Sequence, residues 1–232
     1  MCGRFSADFT HEDVELLEKF LITDVLCEFG PHYNVAPTQG VAVVVPGSRQ
    51  LERFHWGLIP HWSKERSIGS KMINARAETI GSKPSFRDSF RRRRCLIPTT
   101  GFYEWDANRT PHYIQLRDER IFAFAGLHDR WTSPEGEVVH SCTVITCPPN
   151  SFMADLHDRM PVILDPSDYD DWLLGDPDEP KNLQIAQSLL VPTSSKKMTA
   201  RKVSKLVNSP RNDRVEVTLP PAGPQLEQGS LF

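Results

Sequence analysis

From Arg94 to Cys147 the chain is a relay of short apolar runs cut by turn residues. "RCLIPTTGFYEW" (94–105), "HYIQL" (112–116), "IFAFAGLHD" (121–129) and "SCTVITC" (141–147) carry the β-branched and aromatic residues typical of strands. A Pro-Thr-Thr-Gly turn divides the first run, and "SPEG" (133–136) reads as a hairpin loop. "GVAVVVPG" (40–47), "LERFHWGLI" (51–59) and "RMPVIL" (159–164) add three more strand candidates. Only a few segments read as helical. "THEDVELLEKFL" (10–21) has Thr10 as N-cap and Asp13 in the capping-box position, and "PSDYDDWLLG" (166–175) and "NLQIAQSLL" (182–190) are shorter. Many short strands with few helices predict an α+β fold: one domain on a mostly antiparallel, barrel-like sheet with a few flanking helices. That domain is expected to span 1–208. Residues 209–232 hold four prolines and many polar residues, and read as a flexible tail.

At 232 residues the chain is long enough for a sizeable core. No stretch approaches the roughly 18 apolar residues of a membrane span, and the N-terminus lacks the basic and apolar regions of a secretory signal. A cytoplasmic protein is expected, nucleoid-associated if bacterial. Five cysteines without a C-x-x-C pair indicate neither a disulfide framework nor a zinc ribbon. No metal or cofactor is expected.

The net charge of −3 argues against a nucleic-acid partner, but its distribution argues for one. Residues 49–94 hold 12 Lys+Arg against 4 Asp+Glu, ending in "RRRR" at 91–94. The remaining 15 basic residues face 26 acidic ones. Such asymmetry is the footprint of a face built to meet an anion.

Six short stretches combine aromatic with polar residues: "MCGRF" (1–5), "YNVAPT" (33–38), "WGLIPHW" (56–62), "INARAET" (73–79), "GFYEW" (101–105) and "LHDRMPVIL" (156–164). They offer a nucleophile in Cys2, an amide in Asn74, a carboxyl among aromatics in Glu104, an imidazole in His157, and arginines Arg4, Arg76 and Arg159. Desolvation between Tyr103 and Trp105 favours a raised pKa for Glu104, suited to proton transfer near neutrality. A cysteine at position 2 becomes a 1,2-aminothiol when the initiator methionine is removed.

In order and spacing these motifs closely resemble the SRAP family, the SOS-response-associated peptidases also called abasic-site processing proteins, from Cys2 to about Asn208. The resemblance implies that Cys2 attacks the ring-opened aldehyde of an abasic site in single-stranded DNA and closes a thiazolidine crosslink that protects the lesion. It implies that Asn74 holds the amine or sugar, Glu104 shuttles protons and His157 donates one to the departing ring oxygen. Arg4, Arg76 and Arg159 are implied as phosphate contacts, and Asn34, Pro37 and Trp62 as further DNA-binding residues, with Pro37 and Trp62 forming a wedge that stacks on a base. Core packing is the other reading open for Trp62. "RRRR" is more basic than the resemblance requires, so its DNA contact is read from charge alone.

Other readings remain open from the residues. Cys2 suits an N-terminal-cysteine amidohydrolase, or a thiol autopeptidase acting on its own N-terminus. The arginines and tryptophans also suit a non-catalytic single-strand binder. The last residues, Gln228 to Phe232 ("QGSLF"), resemble a linear motif for a replication sliding clamp. Nothing in the sequence asks for more than a monomer.

Overall fold

The computed structural model describes residues 2–13, 29–47, 51–174 and 178–221. Thirteen strands occur among them: β1 (Phe5–Ala7), β2 (His32–Val35), β3 (Gly40–Val43), β4 (Glu52–Trp56), β5 (Asn74–Arg76), β6 (Arg94–Thr99) and β7 (Gly101–Trp105), then β8 (Pro111–Leu116), β9 (Phe122–Thr132), β10 (Val138–Cys147), β11 (Met160–Pro161), β12 (Ile163–Leu164) and β13 (Met198–Lys202). Short helices cover Arg87–Arg92, Tyr169–Leu173 and Pro180–Ser188. The expected helix over 10–21 lies largely outside the described residues. Its first turn, His11–Asp13, is described, and there the Thr10 N–H donates to Asp13 Oδ2 at 2.8 Å, as the capping-box reading requires.

Two sheets carry the fold. A five-stranded sheet runs β13-β8-β7-β1-β2 and is antiparallel throughout. An eight-stranded sheet is built around β9 and β10, with β6 and β12 on β9, and β4, β5 and β11 on β10. It curls until Val44, just past β3, bridges Leu96 in β6 through a reciprocal pair of hydrogen bonds at 2.9 and 3.0 Å. The α+β, barrel-like reading therefore holds. One feature departs from the antiparallel pattern: β10 pairs in parallel with both β4 and β5.

Burial explains why β9 reads as a continuous apolar run. Its first six residues are all buried, whereas the second half alternates as it nears the "SPEG" hairpin. Strands covered on both faces lose the polar alternation that a solvated face imposes. Between the sheets, Phe5 of β1 meets Trp56 and Phe124 edge-on at 4.9 and 5.8 Å, and Phe102 of β7 meets Phe124 at 5.9 Å. The residue that follows Cys2 by three is thus anchored in the main core. Gly101 makes the neighbouring β7–β8 packing possible, because a Cβ there would stand 2.5 Å from the Tyr113 ring.

The other face of the five-stranded sheet has its own apolar cover, in which Tyr103 and Tyr113 pack with Val203, Val207 and Val217. Asp213 ties this cover to β2, accepting from the Tyr33 and Asn34 N–H groups at 2.6 and 3.0 Å. The composition break at Ser209 therefore falls inside packed structure, and Val217 and Thr218 are buried. Gln228 to Phe232 lie outside the described residues.

Candidate active site

Strand pairing places Cys2 beside Glu104. β1 and β7 are antiparallel with Phe5 opposite Phe102, and the Tyr103 N–H donates to the Arg4 carbonyl at 2.9 Å. Continued one step, this register sets Gly3 opposite Glu104. Side chains alternate along a strand, so Glu104 shares the inner face with Phe102, while Tyr103 points into the outer cover. Cys2 is fully buried and Glu104 is 3% exposed. Burial, reinforced by the charge of Asp158, pushes the Glu104 carboxyl up to about 7 against the opposing charge of the chain's amino terminus. Burial and Glu104 also push the Cys2 thiol well above its usual range, so the resting sulfur is protonated.

Asn74 reaches the same place from the other sheet. β5 runs parallel to β10 with Asn74 in register with Val144, and its Nδ2 donates to the Cys2 carbonyl at 2.9 Å. The Asn74 Oδ1 is buried without a hydrogen-bond partner among the described residues, which leaves one acceptor at the start of the chain.

His157 lies in the loop before β11. Its Nδ1 accepts the Arg159 N–H at 3.0 Å, which sets the proton of the neutral ring on Nε2. Burial lowers the ring's pKa and the amino-terminal charge adds to this, while Asp158, 2.9 Å from Nδ1, opposes it. The amino-terminal charge thus acts on Cys2, Glu104 and His157 alike. The four residues expected to carry chemistry converge on the beginning of the chain.

The expected DNA-binding residues divide. Trp62 is 52% exposed, with Arg87 and Arg91 lining the same cleft, so the core reading of this tryptophan fails. Arg76 is exposed at the end of β5, and Pro37 is half-buried in a turn where Thr38 takes φ +73°. Asn34 instead works inside the protein. It is fully buried, accepts from Arg4 Nη1 at 2.8 Å, and donates to the carbonyls of Ser209 and Asn212 at 3.0 and 2.8 Å. Arg4 Nη1 also holds the Val207 carbonyl at 2.7 Å, and its guanidinium lies 6.0 Å from the Trp105 ring centre. Arg159 is 12% exposed and bound to Glu78 and Thr146.

The "RRRR" run is likewise not one basic patch. Arg94 is buried, stacked on Trp172, and donates to the carbonyls of Trp172, Phe90 and Arg91. Arg93 binds Asp88 and Asp129, and Arg92 binds Asp178 at 2.7 Å. Charge counting missed Trp172, Asp129 and Asp178 because they are distant in sequence. It also passed over Glu78, which binds Arg159, and Asp158, which acts on Glu104 and His157; their place inside two of the six motifs was the available signal.

A thiol, an amide, an imidazole and a carboxyl whose pKa is raised to about 7 thus lie in one region of the molecule, near Cys2. The SOS response associated peptidase (SRAP) family matches residues 1–210. YoqW of Bacillus subtilis, named an abasic site processing protein, is 44% identical over 227 residues, covering 94% of this chain and 98% of its own. HMCES of Pongo abelii, with the same descriptive name, is 31% identical over 83% of this chain and 66% of its own. A crystal structure of a Bacteroides thetaiotaomicron protein superposes with a TM-score of 0.83 at 29% identity, covering 94% of this chain and 99% of the other. The chain belongs to the SRAP family. Among its described residues, no helix is long and apolar enough to cross a membrane.

Proposed function

We propose that this protein processes abasic sites in single-stranded DNA by joining Cys2, freed of Met1, to the ring-opened deoxyribose. The observation that carries the proposal is the convergence of Glu104, Asn74 and His157 on the start of the chain. The names of the relatives support abasic sites as the target.

The chemistry runs in two bond-forming steps. The α-amine of Cys2 adds to the C1′ aldehyde and water leaves, giving an imine. The thiol then adds across the imine carbon, its proton passing to nitrogen, and a five-membered thiazolidine closes. The amine leads because an α-amine of pKa about 7.7–8.0 is partly neutral at cellular pH, whereas burial keeps the thiol protonated. Glu104, near 7, both takes and returns protons in these steps. His157, with its proton on Nε2, donates to the departing ring oxygen. Asn74 fixes the Cys2 carbonyl and thereby the amine. Trp62 stacks on a flanking base, with Arg76, Arg87 and Arg91 near the phosphates.

The test is incubation with single-stranded DNA bearing one abasic site. A heat-stable conjugate is expected from the wild type, and none from Cys2→Ala or from protein carrying extra residues ahead of Cys2. Equal conjugate from Cys2→Ala overturns the proposal. Trp62→Ala is expected to weaken binding of unmodified single strands by about 1–3 kcal/mol while leaving the melting temperature unchanged.

A further inference from the structure

Arg4 differs from Arg92, Arg93 and Arg159, each of which binds a carboxylate. Among the described residues its guanidinium donates only to neutral oxygens: Asn34 Oδ1 and the Val207 carbonyl, at 2.8 and 2.7 Å from Nη1. Those two bonds use both hydrogens of Nη1. Nε is buried without a hydrogen-bond partner among the described residues, so Nη2 is the nitrogen left for a ligand. A half-buried guanidinium without counter-charge, two residues after Cys2, is suited to an anion from outside the chain.

One residue sets the place of that guanidinium. Phe5 pairs with Val35 across β1 and β2, and both belong to the main core. Side chains alternate along a strand, so their neighbours Arg4 and Asn34 turn to the outer cover, where they meet. Asn34 Nδ2 lies among three carbonyls, 3.3, 3.0 and 2.8 Å from those of Val207, Ser209 and Asn212. Carbonyls only accept, so the amide has one orientation, with Oδ1 toward Arg4. Both oxygens that hold Arg4 Nη1 therefore depend on Asn34: one is its own, and the other is a carbonyl that it also binds. Asp213 closes the arrangement from the far end of the segment, accepting from the Tyr33 and Asn34 N–H groups and pairing with His32.

We propose that Asn34 is a positioning residue for Arg4, tying the guanidinium to segment 207–213 so that Nη2 meets a phosphate of the bound strand. Asn34 then serves DNA binding from inside the protein, and the segment beyond the composition break becomes part of the binding site. The inference rests on single-stranded DNA as the partner proposed above, and not on the crosslink.

The test is binding of an unmodified single strand by the full chain, processed at Met1, across a range of salt concentrations. Asn34→Ala is expected to weaken binding roughly tenfold, as loss of a charge-assisted hydrogen bond does. The slope of log affinity against log salt should flatten by about 0.7, the share of one phosphate on a single strand. Arg4→Gln should give the same two changes, and adding Asn34→Ala to it should cost no more. In an Arg76→Gln background Asn34→Ala should exert its full effect. Asp213→Ala gives a test of sign. Removing an anion strengthens DNA binding by charge alone, whereas release of segment 207–213 should weaken it. This variant decides the matter if Asn34→Ala fails to fold.

Wild-type affinity and salt slope in Asn34→Ala overturn the inference. So does a loss that adds in full to that of Arg4→Gln, or tighter binding by Asp213→Ala. A wild-type protein that binds the strand but forms no conjugate with abasic DNA removes the proposed reaction and leaves these comparisons to decide the role of Asn34.

Discussion

Glu104 and Glu78 are the same residue in two regions a few strands apart, and their surroundings make them opposites. Glu104 lies on the inner face of β7, 3% exposed, and its pKa is raised from the ordinary 4.5 to about 7, chiefly by burial. Glu78 lies past the end of β5, half-exposed, and its pKa is lowered by the hydrogen bonds from Arg159. Burial keeps the Glu104 carboxyl protonated up to near neutrality. The Arg159 guanidinium keeps Glu78 an anion. Environment sets the two carboxyls apart.

The largest effect that could break this contrast is on rate. Glu104→Gln should slow crosslinking by about 10²–10⁴-fold, the usual range for a general acid–base group, and should erase the change in slope of the pH–rate profile near 7. Single-turnover kinetics across pH checks both, and an unchanged profile removes Glu104 from proton transfer.

Stability should shift in opposite directions for the two glutamine variants. The folded pKa of Glu104 lies above its unfolded value, so the folded state holds this proton more tightly. Its contribution is therefore most favourable below pH 4.5, declines as pH rises to about 7, and is a constant penalty above that. A shift of that size is worth on the order of 3 kcal/mol, so Glu104→Gln should stabilise the protein by up to about that much at pH 8. The folded pKa of Glu78 is depressed, so its contribution is present above its unfolded pKa and is lost as pH falls through the folded one. Because this carboxylate is half-exposed, solvent screening holds the loss in Glu78→Gln to about 1 kcal/mol or less. Denaturant melts at pH 4 and pH 8 check both signs, and shifts of the same sign at pH 8 contradict the contrast.

The smallest effect separates burial from charge at Glu104. Asp158 raises this pKa less than burial does. Asp158→Asn should therefore move the inflection near pH 7 only a few tenths of a unit downward. A collapse of the inflection toward 4.5 would make Asp158 the main cause.

The sheet pattern was legible in the chain because its strands are short apolar runs bounded by turn residues. Every run chosen for its apolar residues between 94 and 147 became a strand. The parallel pairing of β10 with β4 and β5 was not legible, since nothing local marks the partner of a buried strand. Cys2, Asn74, Glu104 and His157 stood out as a set, and the structure gathers them. The polar residues around them were harder. Asn34 and Trp62 sit in equally conspicuous motifs, yet one caps backbone carbonyls inside the protein and the other faces solvent. Arg159 meets Glu78 across 81 positions, and Arg94 meets Trp172 across 78. Charge counts see the arginine but not the partner that occupies it.

Intact mass analysis of the conjugate with abasic single-stranded DNA tests the central claim most directly. The account predicts the mass of the Met1-less protein plus the DNA less one water, unaltered by borohydride because the imine has already been closed by sulfur. A conjugate that retains Met1, or one that survives only after borohydride has added two hydrogens, would contradict it.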